Sequence, residues 1–130
     1  MLVVDASYAV RACGTDGGFR LLGDDQLVAP PLMWSETRSA LHEAAWRGEV
    51  DHTDASEALL RLDEAPVRPR SPRRLGPEAL RLADELGWAK TYDAEYLALA
   101  HILGCRIVTV DFRLWRGAAR LGTVVLPTEL

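Results

Sequence analysis

Apolar positions along this chain alternate between short unbroken runs and longer stretches that repeat every three or four residues. The first run, Leu2-Val3-Val4, is continuous, as befits a strand buried on both faces of a parallel sheet. A helix follows from about Ser7 to near Gly14, and then a loop, Gly14-Thr15-Asp16-Gly17-Gly18. Phe19 to Leu22 makes a brief helix ahead of a second strand, Leu27-Val28-Ala29. Pro30-Pro31 punctuates the chain where helices tend to start. Leu32 to Arg47 is amphipathic, with Ala40, Leu41, Ala44 and Ala45 on one face and Gly48 as its stop. Thr53 or Asp54 caps the next helix, which carries Ala55, Ala58, Leu59 and Leu62 at core spacing.

Glu64 to Pro77 breaks the pattern. It holds four of the seven prolines together with Arg68, Arg70, Arg73 and Arg74. It therefore predicts an edge strand or extended connection followed by a loop, and no helix. Glu78 to Leu86 returns to helical spacing and stops at Gly87, and Asp93 to Leu103 is an apolar-rich helix ended by Gly104. Arg106 to Val110 is the clearest strand, and Thr123 to Leu126 closes the sheet. Strands alternating with helices predict a three-layer α/β/α sandwich around a central, mainly parallel sheet of four to five strands. The lengths agree. The Asp93–Leu103 helix spans about 16 Å at roughly 1.5 Å per residue, and the Arg106–Val110 strand about 16 Å at roughly 3.3 Å per residue. The Gly104 turn can thus return the chain to the edge it left.

Composition narrows the class. A chain of 130 residues that is 48% hydrophobic is one domain with enough core to need no disulfide staples. Cys13 and Cys105 form no Cys-x-x-Cys pair and no zinc-ligand spacing, so both are expected as reduced core thiols. There is no basic leader followed by an apolar segment, and no apolar run near the roughly 20 residues of a membrane span, which predicts a cytoplasmic protein. The net charge of −4 argues against a surface coated with basic residues. Of the 15 basic residues only Lys90 is lysine, and several arginines fall in two short segments.

Four acids sit at strand exits or helix entries: Asp5 after Leu2–Val4, Asp111 after Arg106–Val110, Asp93 and Glu36 at the openings of helical stretches. In an open α/β sheet those positions share one edge, which is where such sheets place their sites. Singly, each acid has an ordinary role, as a helix cap, a partner of the helix dipole or a turn former. Together, four carboxylates on one edge repel one another unless something cationic binds between them, and the fitting occupant is a divalent metal that prefers oxygen. Ser7 and Thr109, each two residues from an acid, either orient a carboxylate or metal-bound water or, for Ser7, simply cap a helix.

The stretches Val3-Val4-Asp5-Ala6-Ser7, Glu36, Tyr92-Asp93-Ala94-Glu95-Tyr96-Leu97-Ala98-Leu99-Ala100 and Val108-Thr109-Val110-Asp111-Phe112-Arg113-Leu114 resemble the PIN-domain proteins, in particular the VapC toxins of bacterial toxin–antitoxin pairs. The resemblance spans essentially the whole chain and implies a single PIN domain over residues 1–130. It implies an Mg²⁺- or Mn²⁺-dependent ribonuclease that hydrolyses phosphodiester bonds, with Asp5, Glu36, Asp93 and Asp111 as the acidic set. Asp5 and Asp93 are then the first metal ligands, Asp111 completes the site directly or through water, and Glu36 ligates or orients the attacking water. One or two ions held by carboxylates activate a water and relieve charge on the leaving oxygen. The implied partners are an RNA substrate (tRNA, rRNA or mRNA), a small VapB-like antitoxin that occludes the site, and a second copy in a homodimer.

Arg113 and Arg116 are expected to reach flanking phosphates, with Arg68 and Arg70, and beyond them Arg73 and Arg74, extending an RNA track or belonging to a solvated loop. Trp34 and Trp115 either stack on a base or, with Trp46, serve a core or a partner interface. Glu95 falls on another helix face from Asp93, and His42, His52 and His101 fit no relay. Two other enzyme classes fail on particular residues: a haloacid-dehalogenase-like phosphatase needs a second Asp where Ser7 stands, and a receiver domain needs paired acids at the first strand. The non-enzymatic alternative is a catalytically silent PIN-like module that binds RNA or protein.

Overall fold

Strand β1 (Leu2–Val4) occupies the middle of a five-stranded, all-parallel sheet, and its unbroken apolar run follows from burial on both faces. The computed structural model describes residues 1–130. The sheet runs in the order β3-β2-β1-β4-β5, where β2 is Leu27–Ala29, β3 Val67–Pro69, β4 Arg106–Val108 and β5 Val124–Val125. Register sets Leu2 beside Leu27 on one side and Val4 beside Val108 on the other.

Six α-helices cover the sheet: α1 (Ala6–Cys13), α2 (Leu32–Trp46), α3 (His52–Asp63), α4 (Leu75–Leu86), α5 (Tyr92–Leu103) and α6 (Phe112–Gly117). Helices α1, α2 and α3 pack on one another, while α4 pairs with α5, and α5 lies against β1 and β4. Because α5 is enclosed between the sheet and α4, it is apolar nearly all round, with Ala94 and Tyr96 to Ala100 buried. The chain winds outward from β1 through β2 to β3, then crosses back to β4 and continues to β5. Right-handed crossovers place the helices of these two halves on opposite faces. The direction of winding reverses between β1 and β4, so the crevice beyond the carboxyl ends of those two strands is the switch point where open α/β sheets bind ligands.

Local chemistry moves several expected boundaries. Helix α3 is capped by Asp51, whose carboxylate accepts from the Asp54 N–H at 2.8 Å, and not by Thr53 or Asp54. The proline-rich segment contributes β3 as an edge strand, but α4 begins at Leu75 and takes in Gly76 and Pro77. Proline is tolerated there because first-turn N–H groups have no intrahelical partner. Helix α2 begins at Leu32, where the amphipathic stretch starts, so Glu36 does not open it but lies a full turn inside, and the dipole explanation does not apply to that acid. Strand β4 ends at Val108, because the Val110 N–H leaves the ladder and donates to Ser7 Oγ at 3.1 Å. The chain after Asp111, to which the apolar pattern assigns no element, forms α6.

Candidate active site

Asp5 follows β1 directly and becomes the N-cap of α1: its Oδ1 accepts from the Tyr8 N–H at 2.9 Å. Capping is only part of its environment. Asp5 is 4% exposed, and its Oδ2 accepts from the Thr109 hydroxyl at 2.6 Å. Ser7 Oγ lies 2.8 and 3.0 Å from the two carboxylate oxygens. The hydroxyls are themselves held, since Ser7 Oγ accepts from the Val110 N–H and Thr109 Oγ1 accepts from the Asp111 N–H at 3.0 Å. The extended residues after β4 are thereby tied to the first turn of α1 through one buried carboxylate.

The same chain exit delivers the next acid. Asp111 caps α6, accepting from the Arg113 N–H at 2.9 Å. Asp93 sits in the first turn of α5, and Glu36 reaches in from α2. All four acids, with Ser7, line one open cleft of about 700 Å³ at the switch point. Glu36 is held from beneath by Tyr96, a residue 1% exposed, whose hydroxyl stands 2.6 Å from Glu36 Oε1. The phenol oxygen is the donor in this contact and the Glu36 carboxylate the acceptor. In sequence Tyr96 has no assigned role beyond its place in the motif around Asp93. Its spacing of three from Asp93 was the available signal, since residues three apart share a helix side.

The expected substrate residues divide. Arg113 lines the cleft, whereas Arg68, Arg70, Arg73, Arg74 and Arg116 do not. Arg68 lies on β3, the outer strand two places from β1, and Arg70 follows just after, its N–H bonded to the Ala29 carbonyl. Trp34 and Trp115 are half-buried against the core, with Trp115 Nε1 donating to Glu129 at 3.0 Å, and only Trp46 is broadly exposed, at 79%. None of the three histidines lines the cleft. The wall is built instead by the connection from α4 to α5, through Gly87, Trp88, Ala89, Lys90 and Tyr92, which sequence reasoning passed over.

No protein-family model matches the chain. It is 35% identical over 129 residues to VapC ribonuclease Mb0985 of Mycobacterium bovis and to Ribonuclease VapC9 of Mycobacterium tuberculosis, covering 98% of this chain and 99% of each relative. The crystal structure of PAE2754 from Pyrobaculum aerophilum superposes with a TM-score of 0.77 at 27% identity, covering 98% of this chain and 91% of that one. The chain belongs to the VapC ribonuclease family. Its fold is that of the PIN domains, as the motifs around Asp5, Asp93 and Asp111 implied.

In this VapC chain the charges of the cleft oppose one another. Burial pushes the Asp5 carboxyl up to about 6, against the hydrogen bonds from Thr109, Tyr8 and Ser7, and the charge of Asp93 adds to the rise. Glu36 is raised first by burial and further by Asp93 and Glu95, with the Tyr96 hydrogen bond opposing. Asp93, although open to solvent as a residue, is raised by its surroundings and then by Asp111, with Arg113 opposing. Asp93 is thus the shared neighbour of the other three acids. Glu95 does not line the cleft but lies near enough to Glu36 to act on it.

An all-oxygen set with mutual repulsion fits a hard divalent cation. No three of the His, Cys, Asp and Glu side chains are drawn together around a common point, and an ion that keeps much of its water, as Mg²⁺ does, needs only one or two of these carboxylates directly. Three of the roughly four acceptor positions on the Asp5 carboxylate already meet donors, which leaves Asp93 and Asp111 the more open partners.

Two measurements follow from this geometry. Without metal, folded Asp5 holds its proton up to about 6, whereas the unfolded chain releases it near the ordinary value of 3.8. Between those values the folded state binds more protons, so stability falls as pH rises, by about 3 kcal/mol for Asp5 alone. The urea midpoint in EDTA is expected to drop between pH 4 and pH 7, with much of the slope gone in Asp5→Asn; a midpoint that is flat or rises would show that folding does not raise the Asp5 carboxyl. Separately, Tyr96→Phe leaves Glu36 without its phenol donor and is expected to cost about 1–2 kcal/mol at neutral pH, read from urea unfolding. An unchanged midpoint would mean that the phenol does not hold Glu36 in solution.

Proposed function

We propose that this chain is a divalent-metal-dependent ribonuclease acting as the toxin of a VapBC toxin–antitoxin pair. The observation that carries the reading is the convergence of Asp5, Glu36, Asp93 and Asp111, from four separate segments, on one cleft at the switch point of the sheet. The ribonuclease names of the relatives, matched along nearly their full length, support the reaction class. With the reading go the cytoplasm as its compartment, a VapB-like antitoxin that masks the cleft, and a homodimeric state. None of its helices is long and apolar enough to cross a membrane.

Asp93 and Asp111 are the residues that would hold the ion, Mg²⁺ or Mn²⁺, with Asp5 beside them. Bound there, the cation supplies Lewis-acid stabilisation to the charge that develops on the phosphate. The remaining work belongs to the chain itself. Tyr96 occupies Glu36 Oε1 and leaves Oε2 free to take a proton from the attacking water. Because burial raises Glu36, it is a stronger base than an exposed glutamate. Ser7 and Thr109 keep Asp5 in one rotamer, and with it the position of Asp111, whose backbone N–H is bonded to Thr109. Water adds to phosphorus, giving its proton to Glu36, as the phosphorus–oxygen bond to the departing nucleotide breaks and the leaving oxygen takes a proton from solvent in the open cleft.

Purified protein incubated with structured RNA and Mg²⁺ or Mn²⁺ is expected to cleave it, and EDTA to stop the cleavage. Asp93→Asn is expected to lose at least about 100-fold in rate, since it removes the acid that couples to the other three. If Asp93→Asn cleaves RNA as the wild type does, the cleft is not the catalytic centre. Binding of RNA without cleavage under any divalent ion would instead leave a silent PIN-like binding module.

A further inference from the structure

Carboxylates on the floor of a cleft repel the phosphates of RNA, so admission of the strand requires cations at the rim. Only two line this cleft, Lys90 and Arg113. Lys90 makes no ion pair. Arg113 is 3.6 Å from Asp111 Oδ2 with its side chain 88% exposed, a long and solvated contact that holds it weakly. Both stand on the side of the cleft formed by the α4–α5 connection and the start of α6.

That connection is fixed at each end. Gly87 takes a left-handed conformation, φ +72°, which reverses the chain after α4, and the Trp88 N–H donates to the Ala83 carbonyl at 2.8 Å. The Trp88 indole lies so close to Gly117, at the end of α6, that a Cβ there would stand 3.3 Å from its ring. Tyr92, the first residue of α5 and immediate neighbour of Asp93, lines the same cleft, is 58% exposed, and its hydroxyl has no hydrogen-bond partner in the protein. An exposed ring with an unengaged hydroxyl, on a braced support and beside two loosely held cations, has the parts of a stacking platform for nucleic acid.

We propose that Lys90, Tyr92 and Arg113 form a nucleotide subsite, with the base next to the scissile bond stacked on the Tyr92 ring and Lys90 and Arg113 on the flanking phosphates. Stacking needs a base free of its helical neighbours, so the ligand is an unpaired nucleotide of RNA. The arginines of the β3 segment take no part. This subsite rests on the ribonuclease reading.

The test uses short single-stranded RNA oligonucleotides with the wild type and its variants, all checked for unchanged urea unfolding. Tyr92→Ala is expected to raise KM by about 10-fold, while Tyr92→Phe, which keeps the ring, stays within about twofold. Lys90→Gln is expected to reduce the slope of log binding constant against log salt by about 0.7, one single-strand phosphate. Arg68→Gln and Arg70→Gln serve as controls and are expected to change neither. With abasic substitutions placed one at a time along the RNA, one position should remove the effect of Tyr92→Ala, as coupled partners do. Wild-type affinity in Tyr92→Ala, an equal loss in Tyr92→Phe, or a loss indifferent to every abasic position overturns the subsite. If the wild type cleaves no RNA, the ribonuclease reading fails on its own, and anisotropy binding of the same oligonucleotides and variants still decides the subsite.

Discussion

A carboxylate buried at the hinge of the sheet is the constraint on which the site depends. Asp5 is placed where β1 ends and α1 begins, almost out of contact with water, and burial alone would favour its neutral form. Its oxygens are met by a backbone N–H and two hydroxyls, and those hydroxyls are in turn met by the N–H groups of Val110 and Asp111. Each donor comes from an element that must be in register for the network to close. The strand order that brings β4 beside β1 and the hydrogen bonds that satisfy Asp5 therefore require each other. Disturbing that carboxylate moves the position of Asp111 as well.

The structural and chemical explanations of the acids are not rivals in this chain. Asp5 and Asp111 do cap helices, as a reading of isolated residues would say. Capping is what aims them, because a cap carboxylate is fixed at the mouth of its helix, and here both mouths open at the switch point. Asp93, in a first turn without capping, stays open and carries the repulsion of its neighbours. Glu36 is secured by a phenol from another helix. The result is a cleft with one largely engaged acid, one pinned acid and two more open ones, an uneven division of labour among four similar carboxylates.

The legible part of the site was the edge on which its acids gather. Asp5, Asp93 and Asp111, at strand exits and a helix entry, could be assigned to one edge from the pattern of elements, Glu36 reaches it from a full turn inside α2, and the relatives bear out the family. Substrate-facing residues were less legible, because clusters of like charge in sequence do not specify a face. Arg68 and Arg70 looked like a track, yet β3 pairs at the outer edge of the sheet, away from the cleft. The Gly87–Tyr92 connection carried a single lysine and no cluster, so nothing drew attention to it. Pro77 misled in another way. Proline forbids a helix interior but not a first turn, and only the folded chain shows which applies.

By itself the sequence determined the alternation of buried strands and covering helices, the motifs that carry the family resemblance, and the four acids with Ser7 beside Asp5 and Thr109 beside Asp111. The alternation and these pairings are local matters, set by the period of apolar positions and by residues a few places apart, whereas the reach of Thr109 to Asp5 is tertiary. Tertiary structure decided what depends on bringing distant segments together: the order of the strands, the phenol of Tyr96 under Glu36, the departure of β4 from its ladder toward Ser7, and the wall opposite the acids. Strand order follows from packing and the handedness of crossovers, which no single segment encodes. The four acids share an edge because of their local sequence, and they share a cleft because β1 and β4 lie side by side.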